Sequence, residues 1–117
     1  QTLTSTFVMP DGGFGNSNTV VMGNISPGGK IQSVSVDVHT AFSGQTANTT
    51  PIVEVGTTAD PDLVAGNVNF DLEETGSYVA TPEYLYPSSN TDELVLRAKC
   101  THFTATAGNI TVKVTYI

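Results

Sequence analysis

Hydrophobic and polar residues alternate along most of this chain, most regularly near its end. Ile110, Val112, Val114 and Tyr116 occupy every second position, with Thr or Lys residues between them. Because successive side chains of a β-strand point to opposite faces, this period of two predicts a strand with one face in a core and the other in water. Residues 109–117 are therefore expected to be paired in a sheet rather than frayed.

The same alternation predicts strands along the rest of the chain, separated by clusters of Gly, Pro, Asn and Ser that favour turns. The predicted strands cover residues 3–9, 19–25, 30–42, 52–56, 68–72, 77–81, 93–100 and 109–117. Residues 84–86 lie between two prolines and are expected to form an edge strand or an irregular segment. A loose helical turn is expected at residues 63–65.

The longest predicted strand, residues 30–42, places Val34, Val36 and Val38 on the core face. Ile31 is apolar but has the opposite parity, which predicts a bulge near the start of this strand. Val36 is expected to lie in the core together with Val112 of the last strand.

Eight or nine short strands predict an all-β fold, and a chain of 117 residues suffices for one domain. We predict a single-domain antiparallel β-sandwich, jelly-roll-like, over residues 1–117. An immunoglobulin-like sandwich is disfavoured because the chain has no Trp and a single Cys. Residues 1–29 are expected to form either an N-terminal arm or edge strands.

The charge composition excludes several classes of partner. Charged residues make up 13% of the chain, about half the usual quarter. Lys and Arg together number 4 and the net charge is −7, so the chain lacks the basic clusters that neutralise phosphates. The same negative charge would repel anionic membranes. We therefore expect neither a nucleic acid nor a membrane as partner.

One row of polar residues has the composition of a catalytic triad. Ser35, Asp37 and His39 leave the same face of a predicted strand. Side chains two residues apart on a strand are about 6.5–7 Å apart, which is too far for the hydrogen-bonded relay of a triad. Only His39 and His102 could exchange protons near neutral pH, and no nucleophile motif accompanies them. We therefore predict that the protein is not an enzyme.

Acidic residues between positions 60 and 74 raise the question of a calcium site, since Ca²⁺ prefers clustered oxygen ligands. Their spacing does not match a calcium loop, and Asp60-Pro61-Asp62 is explained by a turn. We predict no metal and no other cofactor. The single cysteine, Cys100, ends an alternating run and is expected to be a buried, unreactive thiol.

Several turns and strand ends resemble those of small structural proteins of tailed bacteriophages. The resemblance is carried by residues 55–64, by Asp71-Leu72 with Gly76 and Tyr78, and by residues 105–108 and 112–116. Such proteins are capsid decoration (cement) or head-fibre proteins, and some are associated with tails. The resemblance covers roughly residues 31–117 and includes no catalytic residue.

The resemblance implies a non-enzymatic virion protein that binds the exterior of a phage capsid. A protein that binds the assembled lattice but not the free subunit stabilises the lattice by mass action. The implied partners are the major capsid protein and further copies of this chain. A homotrimer near threefold positions is the expected assembly, since heterologous contacts close such rings.

Two segments are expected to make these contacts. Residues 1–29 are more apolar than a solvated tail, and they could add a strand to an exposed sheet edge. A chain that lacks residues 1–9 is therefore expected to fold but not to bind capsids. The second segment lies between prolines at a predicted sheet edge. The expected interface residues are Leu3, Phe7, Met9, Phe14, Tyr84 and Tyr86.

Two other functional classes remain open. A carbohydrate-binding or tail-fibre-associated β-sandwich module would need exposed aromatic side chains, and Tyr78, Tyr84 and Tyr86 form the one aromatic concentration. An enzyme on a jelly-roll scaffold, such as a cupin, would need several His or carboxylate ligands, which two distant histidines do not supply. The virion protein is the preferred interpretation.

Overall fold

The computed structural model describes residues 1–10, 16–66 and 69–117. Within these ranges the chain forms eight strands and no helix. The strands are β1 (Thr2–Met9), β2 (Ser17–Ile25), β3 (Lys30–Ser43), β4 (Ile52–Gly56), β5 (Gly76–Ala80), β6 (Tyr84–Leu85), β7 (Leu94–Thr101) and β8 (Ala107–Tyr116). The all-β prediction is confirmed. No helix in the described ranges is long and apolar enough to span a bilayer.

Two antiparallel sheets are stacked as a sandwich. The large sheet has the order β1-β8-β3-β5, with β6 beside β3, and the small sheet has the order β2-β7-β4. Consecutive strands from β1 to β5 alternate between the two sheets, and so do β7 and β8. This alternation is the double-sheet arrangement of a jelly roll, as predicted.

The core lies between the sheets and follows the period of two. In the large sheet, Val36 of β3 is paired with Val112 of β8, and Val34 is paired with Val114. All four side chains are fully buried, so the predicted core positions of Val36 and Val112 are confirmed. The small sheet contributes the inward residues of β4 and β7, namely Val53, Val55, Leu96, Ala98 and Cys100.

The bulge predicted near the start of β3 is present. The register between β3 and β8 shifts between Ile31 and Ser33, and the Ile31 side chain is fully buried. An unbroken strand would give Ile31 the same parity as Ser33, which would turn it toward water. The extra residue thus places an off-parity apolar side chain in the core.

The strand predicted at residues 68–72 does not appear. Val68 lies outside the described residues, and residues 69–72 are not in a strand. Phe70 and Leu72 are nevertheless buried, and the Phe42 N–H donates to the Leu72 carbonyl at 2.8 Å. The alternating pattern at these positions arises because the side chains of Phe70 and Leu72 are buried within a loop that covers one end of the sandwich. Residues 69–72 of this loop do not form a strand paired with a neighbouring strand.

The helical turn expected at residues 63–65 is also absent. Ala65 instead forms an isolated antiparallel bridge with Val55 of β4. This bridge occupies the place where a fourth strand would extend the small sheet. The loop between β4 and β5 therefore runs along the edge of the small sheet.

Residues 1–29 supply β1 and β2, which lie at the edges of the large and the small sheet. Every residue of β1 is paired with β8, from Thr2 opposite Thr115 to Met9 opposite Gly108. Among the described residues, no second strand of the large sheet pairs with the outer side of β1. Its backbone groups on that side are open to pairing with another chain.

Candidate functional site

β1 turns the apolar residues that were expected to contact a capsid toward the core. Phe7 and Met9 are 2% and 6% exposed, and Leu3 is half-buried against the core. Phe14 lies outside the described residues. Removing residues 1–9 would take two side chains from the core and uncover one side of β8. We therefore expect this deletion to unfold the domain, in contrast to the expectation from sequence.

Tyr84 and Tyr86 are half-buried and pack against the core. Tyr84 is paired with the inward-facing Ile31, and the Tyr86 hydroxyl donates to the Asp92 carbonyl at 2.8 Å. Leu85, between them, is 59% exposed. The side chain that this segment offers to a partner is therefore Leu85.

The outer face of the large sheet is a broad surface of small polar side chains. It is formed by the outward positions of four neighbouring strands. We call it the threonine face, and its main residues are Thr2, Thr4, Thr6, Val8, Ser33, Ser35, Val79, Thr111 and Thr115. Val8 and Val79 are 54% and 64% exposed. The face thus combines small hydroxyl groups with exposed apolar side chains, and it also carries the charged side chains of Lys113 and Asp37.

The predicted row of Ser, Asp and His on β3 lies on this face. The Ser77 hydroxyl donates to Asp37 Oδ1 at 2.6 Å, and His39 Nε2 lies 3.0 Å from Thr111 Oγ1. Asp37 and His39 are thus each bonded to a neighbouring strand rather than joined in a relay. His102, the other candidate acid or base, is 1% exposed within the fold.

The acidic turn after β4 brings the carboxyl groups of Asp60 and Asp62 close together. A hydrogen bond with the Asp62 side chain raises the pKa of Asp60 above its usual value, and the nearby Asp62 charge acts in the same direction. A hydrogen bond between two carboxyl groups needs a proton on one of them, which is why it favours the protonated form. Across the described ranges, no three His, Cys, Asp or Glu residues are grouped so that they could hold a metal ion.

A pocket of about 330 Å³ lies on the outer face of the small sheet. We call it the basic pocket. β7 supplies Arg97 and Lys99, which are both half-buried, and β2 supplies Thr19. The loop after β4 supplies the remaining wall, which consists of Thr57, Thr58 and Pro61.

The basic pocket holds two of the four basic residues of the chain. Among the described residues the one ion pair joins Lys30 to Glu83 at 3.6 Å, so Arg97 and Lys99 are not paired. None of the predictions from sequence included this site. Two cations at alternate positions of a predicted strand were a visible signal, but the loop that completes the pocket lies far from them in the chain.

Two solved structures have a similar fold. A chain in the capsid asymmetric unit of cyanophage Pam1 matches with a TM-score of 0.69 and 16% sequence identity, over 99% of this chain and 82% of that one. A chain in the acid-stable capsid structure of Helicobacter pylori bacteriophage KHP30 matches with a TM-score of 0.63 and 18% identity, over 99% of this chain and 85% of that one. At these identities the likeness concerns the fold. No protein-family model and no curated protein matches the chain.

Proposed function

We propose that this protein is a structural component of a bacteriophage virion that binds the outside of the capsid and stabilises it. The observation that carries the proposal is the likeness of 99% of the chain to chains from two phage capsid structures. The sequence resemblance to small virion proteins supports the same function. Binding to the assembled shell, and not to free subunits, would favour the assembled state by mass action.

The threonine face is the surface that we assign to the capsid contact. Thr and Ser lose less side-chain entropy on burial than Lys or Glu, so this face can be covered at a smaller entropic cost. Val8 and Val79 project from it, and burial of each would add a favourable apolar contribution. The face also carries Lys113, which lies between Thr4 and Ser35, and Asp37, so the capsid surface would have to supply partners for both charges.

The open edge of β1 is the surface that we assign to self-association. Of the described strands of the large sheet, β8 alone pairs with β1, whose eight residues are all in strand conformation. Addition of a strand from a second copy would satisfy its outer backbone groups. A contact between this edge and a different edge of the next copy is heterologous, so three copies can close into the proposed homotrimer.

The tyrosines have structural roles that disfavour a carbohydrate-binding module. The Tyr78 hydroxyl donates to the Glu74 carbonyl at 3.0 Å, and Tyr86 donates to Asp92. Tyr84 faces inward with Ile31. A sugar-binding platform needs aromatic faces open to solvent, whereas these rings pack against the core.

The test is the composition and stability of the virion. Particles of the phage that encodes the protein are purified and quantified by mass spectrometry, and the protein is expected in many copies per capsid and accessible to antibody on intact particles. Particles that lack it are expected to release their contents at a lower temperature. Absence of the protein from particles, or equal heat stability without it, would overturn the proposal.

A further inference from the structure

We propose that the basic pocket binds an extended acidic segment of another protein, with Arg97 and Lys99 each holding one carboxylate. This site is separate from the threonine face, because it lies on the outer face of the other sheet. The inference concerns the isolated chain, and it stands whether or not the protein is a virion component.

The spacing of the two cations defines the shape of the ligand. Arg97 and Lys99 are two residues apart on β7 and point to the same side. Their side chains are therefore about 7 Å apart along the strand. An extended peptide presents its own alternate side chains at the same spacing, so acidic residues at positions i and i+2 match the two cations. The fork of N–H groups on Arg97 can bind one carboxylate through two hydrogen bonds.

The charge of the molecule favours a ligand with few charges. The net charge of −7 opposes the approach of a polyanion such as DNA, whose binding needs many basic contacts. Within the described ranges Arg97 and Lys99 have no ion-pair partner of their own, so a ligand carboxylate would not have to displace one. A segment with two carboxylates neutralises both.

The pocket wall is built by a close packing that only glycine permits. Gly56 lies opposite Arg97 at the end of β4. A Cβ at this position would lie 2.2 Å from the Asp60 carbonyl oxygen and 2.6 Å from that of Pro61. The absence of a side chain therefore lets the loop fold over the sheet beside the guanidinium group.

Two hydrogen bonds hold Thr57 in this wall, and one of them uses its hydroxyl oxygen as an acceptor. The Asp60 N–H donates to Thr57 Oγ1 at 3.0 Å, and the Thr57 N–H donates to the Asp60 carbonyl at 2.9 Å. Because the Thr57 oxygen acts as acceptor in the turn, its proton can be donated to an anion in the pocket.

Glu54 is an acidic residue next to the proposed binding site. It lies opposite Lys99 in the β4–β7 register, on the same face of the sheet. Directly opposed residues have Cβ atoms about 5 Å apart, so the Glu54 carboxylate would repel an acidic ligand bound to Lys99. Removing this charge should therefore strengthen binding.

The experiment uses the whole chain and a defined probe. The backbone amides are followed by NMR during titration with a capped glutamate-threonine-glutamate tripeptide, and separately with its glutamine-threonine-glutamine analogue and with inorganic phosphate at matched ionic strength. The variants are Arg97→Gln, Lys99→Gln and Glu54→Gln. Lys113→Gln is the matched control, because Lys113 is an exposed cation on the other sheet. Amide spectra of each variant verify that it is folded.

We expect the acidic tripeptide to shift the amides of β7 and of the loop after β4 in a saturable way. Arg97→Gln and Lys99→Gln should each weaken binding about tenfold, as expected for loss of a charge-assisted hydrogen bond. Lys113→Gln should leave the affinity unchanged, and Glu54→Gln should increase it. If either Arg97→Gln or Lys99→Gln binds the acidic tripeptide as tightly as the unchanged protein, or if phosphate binds as tightly as the tripeptide, the proposal is overturned.

Discussion

At the scale of single residues, the buried valines of β3 and β8 carry much of the packing between the sheets. Val36 and Val112 are paired with each other and fully buried. Truncation of either to Ala removes two methyl groups and leaves a small cavity, so we expect each to lower the free energy of unfolding by about 1–3 kcal/mol.

Urea denaturation measures this effect, and Val79→Ala serves as the control. Val79 is 64% exposed, so its truncation should change the free energy of unfolding by less than about 0.5 kcal/mol. Equal denaturation midpoints for Val36→Ala, Val112→Ala and the unchanged protein would contradict the register.

Gly56 is a second residue whose side-chain size is dictated by its neighbours. A Cβ there would lie 2.2 Å from the Asp60 carbonyl oxygen, so Gly56→Ala must displace backbone. We expect a loss of about 1–3 kcal/mol in the free energy of unfolding, as for other overpacking changes.

Gly66→Ala is the matched control for this prediction. In the same loop, the nearest atom to a Cβ at Gly66 is Asp62 Cβ at 3.3 Å, which belongs to an exposed side chain. Gly66→Ala should be clearly the milder change in thermal unfolding. If both variants melt at the same temperature, the loop does not press on Gly56 as described.

At the scale of elements, the turn between β7 and β8 is strained. Phe103 and Thr104 have φ values of 49° and 60°, and the Ala105 N–H donates to the His102 carbonyl at 3.0 Å. Positive φ at both central residues defines a type I′ turn, for which Asn-Gly is the preferred sequence. Thr46 holds this turn from the loop after β3, because its N–H donates to the Phe103 carbonyl at 3.0 Å.

We expect Thr104→Gly to stabilise the protein by about 1 kcal/mol, because glycine adopts positive φ without the clash of a β-branched side chain. Thermal unfolding measures the gain. Thr4→Gly, in the extended strand β1, is the control and should destabilise instead. The Thr104 hydroxyl oxygen lies 3.3 Å from Thr46 Oγ1, and a lower melting temperature for Thr104→Gly would show that this contact outweighs the backbone strain.

At the scale of the whole molecule, the sandwich has two outer faces of different character. The large sheet bears the threonine face, and the small sheet bears the basic pocket. A molecule bound to a shell through the threonine face would turn the basic pocket toward solution. The two proposed surfaces can therefore be occupied at the same time.

Val79→Glu tests the capsid contact against a matched valine on the opposite face. Val79 and Val21 are 64% and 58% exposed, on β5 and β2 respectively. A new carboxylate at the position of Val79 would lose its hydration on binding, so Val79→Glu should abolish binding to purified capsids while Val21→Glu retains it. Cosedimentation with capsids measures both. Retained binding of the Val79 variant would show that another surface makes the contact.

The sequence by itself determined the strands and most of the core. The period of two is a local property of the chain, so it identified the inward residues of β3 and β8, and the off-parity Ile31 identified the bulge. The same pattern wrongly predicted a strand at residues 69–72, because side chains can be buried alternately without backbone pairing to another strand.

Only the tertiary structure decided which surfaces are free. Phe7 and Met9 are apolar, which fits both a contact with a partner and a place in the core. The pairing of β1 with β8 turns them into the core. Arg97 becomes part of a pocket because the sheet order places β4 beside β7, and Gly56 lets the following loop close over the strand. Such contacts join residues that are distant in sequence, and no local pattern of hydrophobic and polar positions specifies them.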